Sequence, residues 1–190
     1  MLTLITLPSC SQQSMQGAGR GAATGAAVGA VGGMVTALVF GGNVGEAAAR
    51  GAVYGGSTGA AAGAISGAVA DSNQKKAQEA AELEALRKRL GDDAFSGLAA
   101  LVECKHEVAQ GYGRTAATSD KPDFALAGLW LQVITFADSR QEDQARTLLP
   151  DLVEKDSKLS SESQAETEMQ AALQKLKDIR QENKLPRECK

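Results

Sequence analysis

Residues 21–33 read GAATGAAVGAVGG and residues 51–67 read GAVYGGSTGAAAGAISG. Glycine recurs at every fourth position: Gly21, Gly25, Gly29 and Gly33, then Gly51, Gly55, Gly59, Gly63 and Gly67. Four residues is about one helical turn, so each block lines its glycines along one face of a helix. Glycine costs roughly 1 kcal/mol per site relative to alanine in a helix interior. Close approach of helix backbones is the compensation that such a stripe allows. A flexible Gly/Ala linker has no reason to keep this register.

No charge falls between Arg20 and Glu46, or between Arg50 and Asp71. Each stretch reaches the roughly 20 residues that a bilayer core requires. Between the blocks, Gly41-Gly42-Asn43-Val44-Gly45-Glu46 is rich in turn formers, with Asn43 placed to cap the second helix. The expectation is a transmembrane helical hairpin over residues 17–70. Its glycine stripes would face each other or other copies. Alanine dominates the remaining positions, so the hairpin should depend on packing partners.

These glycine blocks resemble those of bacterial glycine-zipper envelope proteins, many of them outer-membrane lipoproteins. The resemblance covers residues 17–70 and implies an oligomerising envelope component without a defined chemistry. Leu7-Pro8-Ser9-Cys10 reads as a lipobox with Cys10 as the lipidation site, and Met1 to Leu7 as the end of a signal segment. No Lys or Arg precedes it, which a true start further upstream would explain. By the same resemblance, Ser11 after the cysteine favours the outer membrane, facing the periplasm.

If Cys10 carries lipid, Cys104 and Cys189 are left as an even pair in an oxidising compartment. A bridge between them closes a loop worth about 4 kcal/mol in the chain-entropy model and pins the chain's last helix. His106, the only histidine, lies two residues from Cys104. On one continuous helix, residues two apart point in different directions. Two cysteines and one histidine also leave structural zinc one ligand short, so a disulfide is expected and no metal.

Beyond residue 70 the material changes. Of the chain's Asp, Glu, Lys and Arg residues all but Arg20, Glu46 and Arg50 lie here, with the signs interspersed. This mixed pattern offers no basic stripe for nucleic acid. A connecting amphipathic helix is expected over 71–91. A soluble helical domain follows over 92–190, either a small bundle or a stack of helical hairpins. Asp92-Asp93 opens a helix that Gly111 ends, and residues 112–121 form a polar loop. Pro122 starts an almost wholly apolar helix containing Trp130. Ser139 and Glu142 form a capping box, and Pro150 breaks the helix that follows. The last helix begins near Ser161, with Ala165, Met169, Ala172, Leu176 and Ile179 on one stripe.

The fold class is therefore all-α: a glycine-zipper hairpin followed by a helical domain. No catalytic pair surrounds His106, and Gly17 to Gly21 lacks both the preceding strand and the Lys-Ser/Thr ending of a phosphate loop. No cofactor is implied, and no enzyme is expected. The leading function is an oligomerising outer-membrane lipoprotein with a structural or assembly role, binding a periplasmic partner through its helical domain. A subunit of an oligomeric pore and a soluble helical scaffold are the alternatives.

Overall fold

The computed structural model of the chain describes residues 12–61 and 70–189. Cys10, Gly63 and Gly67 lie outside them. The fold is all-α: α1 Gln12–Phe40, α2 Val44–Ala61, α3 Ala70–Leu90, α4 Asp92–Val102, α5 His106–Ala117, α6 Pro122–Asp138, α7 Glu142–Thr147, α8 Leu149–Lys155 and α9 Glu162–Glu182.

Helix α6 is the hub. It touches α1, α3, α4, α5, α7, α8 and α9. Leu126, Leu129, Trp130, Leu131, Val133 and Ile134 are all buried, which fits a helix that is apolar around its whole circumference. Pro122 sits at its start, where a missing N–H costs nothing. Against it pack the expected stripe of α9 and helix α8, which restarts at Pro150 after α7; exposed Ser161 caps α9, its Oγ accepting from Gln164 N at 3.2 Å.

The main departure concerns α1. Val28, Val31, Met34, Val35 and Leu38 are buried in the same cluster as Leu98, Leu101, Trp130 and Leu176. The boundary expected at residue 70 therefore does not separate a hairpin from a domain core. The physical reason is a second stripe. While Gly29 and Gly33 recur along one face, Val28, Val31, Val35 and Leu38 follow spacings of three and four along another. One face admits α2 and the other seals the domain. The transmembrane expectation needs the same correction. Among the described residues, no helix is long and apolar enough to cross a membrane. Alanine and glycine add too little transfer free energy to the charge-free runs.

Two local expectations fail. The helix opened by Asp92-Asp93 ends at Val102, and α5 runs on through Gly111 to Ala117. Cys104, at φ 61°, donates its N–H to Leu101 O, and Lys105 donates to Ala100 O. That pairing is a Schellman ending built without glycine. Nor does Ser139 cap α7: it ends α6, and its Oγ donates to Phe136 O at 3.0 Å.

Candidate functional site

The hairpin interface is the first candidate. Asn43 Oδ1 accepts from Glu46 N at 2.9 Å and starts α2, as expected. A Cβ added at Gly33 would overlap Ala47 O and lie 2.8 Å from its carbonyl carbon. One at Gly51 would overlap Gly29 O and lie 2.7 Å from that carbon. Gly29, Gly33 and Gly51 thus serve contact between α1 and α2 of one chain. Gly21 and Gly25 fall within α1, and Gly55 and Gly59 within α2. The outer side of α2 carries exposed Glu46, Ala49 and Arg50, with Glu46 and Arg50 ion-paired.

Two cations tie the hairpin turn to the rest of the molecule. Lys158 Nζ donates to Val39 O at 2.8 Å, in the last turn of α1 where the helix dipole favours positive charge. The same ammonium pairs with the buried carboxylate of Asp156, which also accepts from Trp130 Nε1 at 3.4 Å. The guanidinium of Arg89 lies over the Phe40 ring, 4.4 Å from its centre. Between the turn and α3 runs a groove of about 450 Å³, lined in part by Thr36, Asn43, Arg50, Leu86 and Arg89.

The second candidate lies where α4, α6 and α9 end. Cys104, Arg140 and Lys184 all have positive φ, and each follows one of these helices in a Schellman ending without glycine. Arg180 projects into the convergence. Its Nη1 donates to Asp138 Oδ1 at 2.7 Å, and its Nη2 to Asp138 Oδ2 at 2.7 Å and to Leu101 O at 2.5 Å. The side chains of Arg180 and Asp138 are 0% and 1% exposed, so this is a buried bidentate ion pair. His106 Nε2 lies 2.7 Å from Asp138 Oδ2.

The disulfide Cys104–Cys189 closes the cluster, with a Cα–Cα distance of 5.5 Å and Cys189 Sγ 3.5 Å from Asp138 Oδ2. Both cysteines were legible as a pair. Residues 104 and 106 do not share a continuous helix, because the chain breaks between α4 and α5, and both side chains reach Asp138 or its neighbour Cys189. Replacing Cys189 with serine is expected to lower stability by about 2–5 kcal/mol. Denaturant unfolding of wild type and variant measures it, and addition of reductant should remove most of the difference.

Arg180, Asp138, Lys158 and Asp156 did not stand out in the sequence. Arg180 carried a signal: it continues the buried row Met169, Leu173, Leu176 at helical spacing. Asp138 does the same after Leu131 and Ile134. Chemically, the cluster offers an imidazole oriented by a carboxylate, and that carboxylate is already neutralised by Arg180. Both nearby sulfurs are bonded to each other, so neither is a free nucleophile. Comparison with protein-family models, curated proteins and solved structures finds no match to this chain.

Proposed function

We propose that this chain is a structural or assembly component of a bacterial cell envelope, held at the outer membrane by lipid on Cys10 and facing the periplasm. The observation that carries the reading is the Cys104–Cys189 disulfide, because such bonds persist chiefly in oxidising compartments. The glycine hairpin, wedged into the same core, supports a packing role rather than a chemical one. Attachment through lipid on Cys10 needs no membrane-spanning helix. Oligomerisation would use the side of the hairpin turned away from the core. On the helical domain, exposed Val108 and Tyr112 lie one turn apart on α5 and offer a protein partner its apolar contact.

Labelled fatty acid should enter the wild-type chain when it is expressed from its native gene. The Cys10→Ser variant should lose the label and leave the outer-membrane fraction. A wild-type chain that never takes up label would sink the lipoprotein reading. A helical scaffold without lipid would then stand in its place, a reading favoured by the burial of Val31, Met34 and Val35 of α1 within the core. It predicts a chain that fractionates with soluble proteins whether or not Cys10 is present.

A further inference from the structure

We propose that reduction of the Cys104–Cys189 bond converts the buried cluster into a tetrahedral site for a thiolate-preferring divalent cation, zinc foremost. The ligands are Cys104 Sγ, Cys189 Sγ, His106 Nε2 and a carboxylate oxygen of Asp138. His106, Asp138 and Cys189 already present ligand atoms within 4.8 Å of one another, and Cys104 is bonded to Cys189. Asp138 is the fourth ligand that the sequence spacing alone did not reveal. Bonds of about 2.0–2.3 Å place tetrahedral zinc ligands roughly 3.3–3.8 Å apart, so shifts of about an ångström assemble the site.

Charge balance favours it. A divalent cation with two thiolates is neutral, which leaves the Arg180–Asp138 pair as balanced as before. Arg180 Nη1 keeps Asp138 Oδ1, while Oδ2, which accepts from Arg180 Nη2 and faces both His106 and Cys189, is shared with the metal. The C-terminal carbonyl ends of α4, α6 and α9 converge here and add negative potential. While the disulfide is intact, its sulfurs are not thiolates and the site does not form.

The chemistry balances with a dithiol as the reductant. It passes two electrons and two protons to the protein disulfide and becomes a disulfide itself. Metal binding then releases two protons from the cysteine thiols. Residue 189 is thereby held to the α4–α5 turn covalently under oxidising conditions and through the metal under reducing ones.

The test uses the full-length chain, reduced with a dithiol, freed of it without air, and titrated with cobalt(II) and then zinc. One cobalt per chain is expected, with thiolate-to-metal charge-transfer and tetrahedral d–d bands that zinc abolishes. His106→Gln, at a partly exposed position, should keep the disulfide when oxidised. When reduced, it should bind zinc at least about tenfold more weakly against a chromophoric chelator. X-ray absorption of the zinc-loaded wild type should show two sulfurs at about 2.3 Å and two lighter ligands, which holds even if the variant misfolds. Absence of the thiolate band, equal zinc affinity in His106→Gln, equal binding by the oxidised chain, or a shell without sulfur would each overturn the proposal.

Discussion

Replacing Arg180 with methionine should lower the unfolding free energy of the oxidised chain by about 3–5 kcal/mol, the usual cost of removing one partner from a buried ion pair. Arg180 is fully buried and gives its Nη atoms to Asp138 and to Leu101 O. Methionine fills most of the space but donates nothing. Asp138 then retains one short contact, to His106 Nε2, and the Leu101 carbonyl loses its guanidinium donor. The cost comes from the stranded carboxylate, so changing both partners is informative. Arg180→Met combined with Asp138→Leu should recover most of the loss, because well-packed apolar groups often replace a buried pair at little cost. Denaturant unfolding of the single and double variants reads both. A single variant within about 1 kcal/mol of wild type would show that the pair is hydrated, because exposed pairs contribute no more than that.

Gly33→Leu combined with Gly51→Leu should part α1 from α2 and cost at least about 3 kcal/mol, because overpacking costs about 1–3 kcal/mol per site and here the obstacle is backbone. The atoms in the way are Ala47 O and C at one site and Gly29 O and C at the other, none of which can rotate aside. Helix propensity argues the other way, since leucine is the better helix former by several tenths of a kcal/mol. Packing outweighs propensity at these two positions. Gly111 separates the two effects: nothing lies within 4 Å of a Cβ there, so Gly111→Ala in α5 should stabilise by about 0.5–1 kcal/mol. Thermal unfolding should rank the double variant far below wild type and Gly111→Ala above it. Similar losses for all the glycine replacements would mean that the register of four carries no packing role.

Much of the architecture is legible in the sequence. The Asn43 and Ser161 caps, Pro122 at the start of α6, the break at Pro150 and the Cys104–Cys189 pair each rest on chemistry local to a few residues or on cysteine count. What escaped was non-local or lacked its usual marker. No glycine announces the end of α4, α6 or α9, so α4 and α5 read as one helix. Arg180 and Asp138 find each other only after folding, as do Lys158 and the Val39 carbonyl at the end of α1. The charge-free run through α1 fits either a bilayer or a protein interior. The apolar stripe from Val28 to Leu38, which points to the interior, lies on the same helix as the more conspicuous glycine stripe.

Whether α1 belongs to the helical core is tested most directly by hydrogen exchange on the oxidised, full-length chain in buffer without detergent. Residues 27–39, buried against α4, α6 and α9, should exchange as slowly as residues 126–137 of the central helix. Adding lipid vesicles should leave that protection unchanged. Rapid exchange over residues 27–39 in buffer, slowed only when vesicles are added, would contradict a core-embedded α1 and return the hairpin to the membrane.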